Sequence, residues 1–332
     1  MGDEVISGIL SYASYGYETT FGVKSTDSVY KPFGHGFKIS TLSKKNNVSP
    51  LYTLGGIEAT TLPAMHYEGS VSVEFTPGNA YWLHALTGNT ETVSGTGPYI
   101  HKYIDTVASK PIAPKVSPIT IENAMNVSTT ATDVRTFLKG CSIKSSTVSA
   151  AVGEMAKVTM EMDYANEEKD STYGTPVFDT YSEPFSYQHG KIKIPAATEL
   201  IDVQSFELTI NRNTEMVRGL GSRFATHAPV KNVEYDFRAT VMFENAGLLE
   251  KFYGGTYGPV QFVSPVADCE FTFDNTLTGI DNRKIELKFT GLQIDEFSIP
   301  QDVGDLLKQD ISGKLRVWTM ASYTDNTVNE PT

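Results

Sequence analysis

The sequence is poor in cysteine and in basic residues, and it contains no long apolar segment. Only 2 of its 332 residues are cysteines, Cys141 and Cys269, which argues against a disulfide framework and predicts two buried free thiols. There are 27 Lys and Arg against 39 Asp and Glu, a formal net charge of -12. This balance argues against a surface built to neutralise nucleic acid phosphates. No run approaches the roughly 20 apolar residues of a membrane helix, so no membrane insertion is expected.

Targeting and catalytic patterns are also missing. The N-terminal MGDEVISGIL has neither the basic segment nor the apolar core of a signal peptide, so we expect folding in a cytoplasm. No serine lies in a GxSxG motif, and Glu161 and Asp163 are most simply the polar face of an amphipathic strand. No two histidines share a metal-ligand spacing such as HxxxH; they are His35, His66, His84, His101, His189 and His227. We therefore predict no enzyme, no metal and no cofactor.

A sequence pattern typical of a strand, a turn and a short helix occurs twice in the chain. The first copy, GSVSVEFTPGNAYWLHALTG, ends at Gly88, and the second, FRATVMFENAGLLEKFYG, ends at Gly254, 166 residues later. Within the strands, Phe75 and Phe243 take matching positions at an offset of 168. Flanking matches follow in the same order: FKIST with FELTI, Gly55-Gly56 with Gly219 and Gly221, and GCSIKSSTV with GLQIDEFSI, the last at an offset of 151. One insertion after the first helix explains the smaller offset, so the sequence predicts two repeated units.

The strand-rich pattern predicts a mainly β fold with two tandem β-sandwich or barrel-like domains, each with one short flanking helix. The aromatic N-terminal segment has no periodic core pattern, so we expect it to pack on another surface, such as a neighbouring subunit. The predicted divisions are an arm at 1–36, a first domain at 37–165 with long loops at 44–66 and 89–136, a linker at 166–184, a second domain at 185–323 and a flexible tail at 324–332.

The order of these parts resembles the tail tube proteins of tailed phages and related archaeal viruses. The likeness is carried by YETTFG at 17–22, SVSVEF followed by WLHALTG, FLKGCSIKSSTVSAAVGEMAKVTMEMDY, and SFELTINRNTE followed by VMFENAGLLEKFYGG. It implies a β-sandwich subunit that assembles into stacked rings, a hollow tube in the virion that conducts viral DNA without binding it specifically. It also implies tape measure, tail terminator and baseplate or tip proteins as partners, with a sheath protein in contractile tails.

Two groups of residues follow as candidates for this role. Strand alternation leaves polar faces that are candidates for lining the lumen: Lys157, Thr159, Glu161, Asp163, Ser70, Ser72, Glu74, Glu234, Asp236 and Arg238. The long loop carries apolar residues without partners in so small a unit, which makes them candidates for contacts between rings: Leu51, Tyr52, Leu54, Ile57 and Leu62.

Several alternatives remain open at this point. The tube of a contractile injection system would look similar in sequence. A carbohydrate-binding or adhesion sandwich would need exposed aromatic clusters, but Trp82 and Trp318 lie in apolar contexts. If a single-unit ancestor built rings of six, the duplication favours a ring of three chains with approximate six-fold symmetry over a ring of six chains.

Overall fold

The computed structural model describes residues 11–27, 30–54, 56–89, 91–96, 98–105, 117–125, 134–170, 183–195, 198–243, 246–275, 283–300 and 306–325. The described residues are mainly β, as predicted, with two short α-helices, α1 (Trp82–Thr87) and α2 (Gly247–Tyr253). The strands are β1 (Ser11–Tyr17), β2 (Lys31–Pro32), β3 (His35–Val48), β4 (Ala64–Thr76), β5 (Thr92–Ser94), β6 (Tyr99–Asp105), β7 (Ile119–Met125), β8 (Val134–Ala151), β9 (Lys157–Tyr164), β10 (Asn166–Asp170), β11 (Gly190–Lys193), β12 (Val203–Asn211), β13 (Glu234–Met242), β14 (Val266–Asp274), β15 (Lys284–Ser298), β16 (Lys308–Leu315) and β17 (Val317–Asp325). Neither helix has the length and apolar content needed to cross a membrane.

The described residues form one inner sheet and two outer sheets. The inner sheet is antiparallel throughout, in the order β3-β4-β9-β8-β12-β13-β16-β15. The first halves of β8 and β15 belong to the outer sheets, which run β2-β1-β7-β8-β10 and β11-β14-β15-β17-β6-β5. One apolar core, which includes Val73, Leu138, Leu208 and Phe289, extends through both halves of the chain. Both predicted free cysteines lie in buried positions.

The repeat is visible in the inner sheet, where β3-β4-β9-β8 corresponds to β12-β13-β16-β15. Gly140 and Gly291 both have positive φ, +67° and +74°, at the point where β8 and β15 leave the outer sheets. Val73 pairs with Met160, and Ala239 pairs with Ile311, which lies 151 residues after Met160. The strands β4 and β13 therefore correspond at an offset of 166.

The sequence prediction that matched Phe75 with Phe243 is thus wrong by two residues, and Phe206 corresponds to Ile39 rather than to Phe37. The physical reason is the period of a strand. A shift by two residues keeps every side chain on the same face, so inward and outward alternation cannot distinguish these offsets.

The N-terminal segment belongs to the fold of its own chain, which corrects the prediction of an arm without a core for the described residues 11–27. β1 pairs with β7 along its whole length, and Tyr15 is fully buried. The buried Glu18 carboxylate accepts hydrogen bonds from the Gly140 amide (2.7 Å), the Gly22 amide (2.8 Å) and the Thr120 hydroxyl (2.8 Å). β1 pairs with β7 as β11 pairs with β14, so it completes the outer sheet of the first unit.

Segments predicted as loops, linker and tail also contain strands. The loop at 44–66 includes the end of β3 and the start of β4, and 89–136 includes β5, β6, β7 and the start of β8. The linker at 166–184 begins with β10, and the tail includes Asp325, a buried residue of β17. Residues 171–182 and 326–332 lie outside the described residues. These strands pair with partners distant in sequence, such as β6 with β17, which local patterns do not reveal.

Buried polar contacts fix the two units to each other. The Arg283 guanidinium donates to the carbonyl oxygens of Gly78 and Glu183. The fully buried His101 ring lies between Glu91 (2.7 Å) and Asp325 (3.0 Å), and the Tyr81 hydroxyl donates to Asp325 (2.7 Å). The insertion of the first unit is thereby joined to the last strand of the second.

The His101 contacts predict a pH-dependent stability. Burial lowers the pKa of His101, but hydrogen bonds and charges from Asp325 and Glu91 outweigh it and raise the pKa to about 9. Because the unfolded pKa is about 6.5, the stabilisation should be complete below that pH and lost as the pH rises through 9. We expect His101→Gln to lower the free energy of unfolding by about 3 kcal/mol at pH 6 and by much less at pH 10. Urea titrations of the wild-type protein and of His101→Gln at the two pH values measure this difference in the free energy of unfolding. A difference that does not change with pH would contradict the prediction.

Candidate assembly surfaces

All ten residues predicted from strand alternation lie on one face of the inner sheet. Ser70 pairs with Asp163, Ser72 with Glu161 and Glu74 with Thr159, and this face continues across β8 and β12 to β13. The opposite face carries the apolar core. The structure therefore brings the candidates of both units onto a single polar surface.

Ion pairs and hydrogen bonds cover part of this polar face. Lys157 lies 3.4 Å from Glu74, and Lys314 lies 2.6 Å from Asp236. Burial raises the pKa of Asp163, an effect that the charges of Lys144 and Arg218 oppose. Carboxylates outnumber cations on the face: it carries Glu68, Glu74, Glu161, Asp163, Glu207, Glu234, Asp236, Asp295, Glu296 and Asp310 against Lys38, Lys45, Lys144, Lys157, Arg238, Lys308 and Lys314. The surface is thus polar with an acidic balance.

The candidates named from the sequence leave out the polar side chains of the two strands at the centre of this face, although both strands are predicted. β8 and β12 contribute Ser145, Thr147, Ser149, Glu207, Thr209 and Asn211. The signal for them is clearest in β12, where Glu207, Thr209 and Asn211 alternate with the buried apolar residues Phe206, Leu208 and Ile210. A cavity of about 680 Å³ opens beside the β8–β9 turn, with both acidic and basic side chains in its lining. Among the described residues, no cluster of His, Cys, Asp and Glu could hold a metal ion.

The first and last strands of the inner sheet each have an open edge. β3 pairs with β4, and residues 293–298 of β15 pair with β16, with no second partner strand for either among the described residues. Where the units meet inside the chain, β8 and β12 pair edge to edge over residues 145–151 and 205–211. An unpaired edge presents backbone donors and acceptors to another strand.

The five apolar loop candidates lie on a projecting hairpin. Beyond β3 and β4 the hairpin continues through the Leu51–Thr61 bridge. The candidates are strongly exposed, at 55% for Leu51, 63% for Tyr52, 108% for Leu54, 96% for Ile57 and 66% for Leu62. The opposite end of the sheet also exposes apolar side chains, Val152, Met155 and Leu306. Both ends therefore carry apolar surface that water does not favour.

The two tryptophans are not available to a sugar ligand. Trp82 and Trp318 are 1% and 6% exposed, and their indole nitrogens donate to the carbonyl oxygens of Asn79 (3.0 Å) and Met320 (2.7 Å). A carbohydrate-binding sandwich would present such rings to solvent. The arrangement does not favour that alternative.

Comparison with known proteins gives an assignment for nearly the whole chain. A sequence model described as phage tail tube protein matches residues 8–291. No curated protein matches the sequence. The match includes the open edge of β3, the hairpin and most of the polar face. The chain belongs to the phage tail tube protein family.

Proposed function

We propose that this chain polymerises into stacked rings that form the hollow tail tube through which viral DNA passes during ejection into the host. The observation that carries the proposal is the edge-to-edge pairing of β8 with β12. This pairing joins two repeated units inside one chain. The same pairing between β15 of one copy and β3 of the next would join chains and, by rotation, close a ring.

The repeat offsets give the residues at that junction. Val148 pairs with Leu208 inside the chain, and their counterparts are Ile299 and Leu42. The Thr147 and Thr209 hydroxyls lie 3.0 Å apart, and their counterparts are Ser298 and Ser43. Ser145 pairs with Asn211, and their counterparts are Glu296 and Lys45. Apolar side chains thus meet on the core face, and opposite charges meet on the polar face.

The shared inner sheet supports a ring of three chains over a ring of six. Each unit contributes four strands, and the polar residues of both units lie on the same face. Three chains would supply six similar units around one lumen. A ring of six with one unit on the outside would leave half of this polar face without a lumen to line. Cryo-electron microscopy of purified tubes should find three chains per ring, and six chains with only one unit at the lumen would contradict the proposal.

Charge reversal tests the junction between chains. Lys45 is exposed, and its contact with Glu68 at 3.7 Å is solvent-accessible, so Lys45→Glu should leave folding intact. In the ring it would place a carboxylate opposite Glu296. We expect Lys45→Glu and Glu296→Lys each to raise the protein concentration needed for assembly by about tenfold or more, a cost of about 1.4 kcal/mol per junction.

The double variant carrying both reversals should restore assembly, because it exchanges the charges without removing the pair. Lys191→Glu, an exposed reversal on an outer sheet, is the matched control and should assemble normally. Sedimentation and negative-stain microscopy measure the outcome. Failure of the double variant to assemble better than either single variant would refute this register.

The polar face of the inner sheet is the proposed lining of the lumen, because the opposite face of the sheet packs against the apolar core. Its acidic balance would keep DNA phosphates from adhering. The exposed apolar groups at the two ends of the sheet would meet when rings stack head to tail, with Leu51, Tyr52, Leu54, Ile57 and Leu62 on the hairpin side. End rings would offer the same surfaces to tail terminator and baseplate or tip proteins, and the lumen would hold the tape measure protein.

A further inference from the structure

The hairpin of the second unit docks on the first unit within the chain. This second hairpin, residues 215–229, lies between β12 and β13 and reaches Tyr67 on β4. The Tyr67 amide donates to the Arg223 carbonyl oxygen (3.1 Å), and the Arg218 guanidinium donates to the Tyr67 carbonyl oxygen (2.8 Å). The Phe224 ring lies edge-on to the Tyr67 ring at 6.0 Å. These contacts leave Tyr67 only 9% exposed.

The first hairpin, residues 49–63, is the structural counterpart of the second at an offset of 166. Its Val48–Ala64 and Leu51–Thr61 pairs match the Thr214–Val230 and Val217–His227 bridges. The tip residues Leu54 and Leu220 are both 108% exposed. The two hairpins therefore have the same register and length.

The two hairpins differ in what covers them. Thr214 is 9% exposed, but its counterpart Val48 is 50% exposed, and Ala228 is 3% exposed where Leu62 is 66% exposed. The undocked hairpin thus carries larger apolar side chains at positions that are buried in the other. Apolar residues at matching positions indicate that a surface covers the first hairpin in the assembly.

The second unit carries the corresponding receiving surface. Val233 is the counterpart of Tyr67, and it is only partly buried. Lys314 is the counterpart of Asp163, the carboxylate on which Arg218 acts in the internal contact. In the first hairpin, Tyr52 stands in the place of Arg218, and the lone charged residue between 49 and 63 is Glu58. Inside the chain, Arg218 of the second hairpin therefore meets the carboxylate of Asp163. Between chains, the uncharged Tyr52 of the first hairpin would meet Lys314, which already pairs with Asp236 (2.6 Å).

We propose that the first hairpin of one copy docks sideways on the second unit of its neighbour in the same ring, with Ile57 against Val233 and Tyr52 beside Lys314. The inference rests on the proposed ring. This docking refines the stacking proposal for the five apolar residues of the hairpin. Tyr52 and Ile57 on its flanks then join neighbours within a ring, and Leu54 at its tip projects with Leu220 toward the next ring. The different charges of the two junctions keep each hairpin on its own receiving surface.

Cysteine crosslinking tests this docking in assembled protein. The double variant Ile57→Cys with Val233→Cys should form disulfide-linked dimers and trimers on oxidation, since the internal counterparts Arg223 and Tyr67 are joined by a backbone hydrogen bond. Each single variant should remain uncrosslinked. The native Cys141 and Cys269 are fully buried and should not react. Asn232→Cys, next to Val233 and exposed, gives a second partner position if Val233→Cys reduces folding.

Two matched pairs serve as controls. Arg223→Cys with Tyr67→Cys should crosslink within one chain, without an increase in mass, and Leu54→Cys with Val233→Cys should not crosslink. Rings that form normally without linkage of Ile57→Cys to either partner position would overturn the docking and leave the ring proposal standing. Absence of rings in the unmodified protein would overturn both, and covalent multimers in the rings support both.

Discussion

Deletion of residues 49–57 is expected to leave a folded monomer that forms no tubes. The deletion removes the tip and one flank of the first hairpin, where Leu51, Tyr52, Leu54 and Ile57 are more than half exposed and contribute nothing to the buried core. Single substitutions at such exposed positions alter the free energy of unfolding by about 0.5 kcal/mol, and a shorter surface loop adds little to the entropy cost of closing it. In each ring, however, the contacts made by the first hairpin of every chain would be lost. Thermal denaturation measures the stability of the monomer, and negative-stain microscopy measures the formation of tubes.

The second hairpin provides the matched control for this deletion. Removing residues 215–223 takes away the docked Arg218, and Tyr67 loses both of its backbone partners. We expect this variant to lose several kcal/mol of stability because a buried tyrosine is uncovered and its amide is left unpaired. Long tubes formed by the 49–57 deletion would show that the first hairpin is dispensable, and equal destabilisation by the two deletions would show that both are structural.

Local patterns predicted much of the inner sheet, because a half-buried strand alternates with a period of two. The strands around Val71, Met160 and Phe237 were assigned in this way, and the repeat identified two units. The same period concealed the true offset, since a two-residue shift changes no face. Sequence matching relied on phenylalanines at Phe75 and Phe243, but the cross-strand partners Met160 and Ile311 determine the correspondence.

Pairings between distant segments could not be predicted from local patterns. β1 looked like an arm because its aromatic residues alternate only briefly, and its partner β7 lies in a predicted loop. The β8–β12 junction joins strands that were assigned to separate domains. The local sequence of either strand does not specify its partner strand, because the backbone groups that pair at a sheet edge are the same for nearly all residue types. The candidate polar residues could be identified within each strand, but the sequence did not show that they lie together on one face of a single sheet.

Reversing charges on the polar face is expected to turn a tube that does not retain DNA into one that does. Glu161 and Glu234 are exposed on this face, in different units. With both replaced by lysine, each ring of three chains would carry cations in place of carboxylates at six positions along the proposed lumen. We expect retention of a short DNA duplex by purified tubes to rise by about tenfold or more at low salt and to fall steeply as salt increases.

The location of the new charges separates this effect from general attraction to a more basic protein. Asp268→Lys with Glu199→Lys makes the same change in net charge at exposed positions of β14 and of the segment next to β11, away from the polar face. Those tubes should bind DNA more weakly, because the outside of a tube does not surround the duplex as a lumen would. Co-sedimentation across a salt series compares the two variants. Equal retention by both would place Glu161 and Glu234 on the outer surface, and with them the whole polar face, since the cross-strand register keeps these residues on one side of the inner sheet.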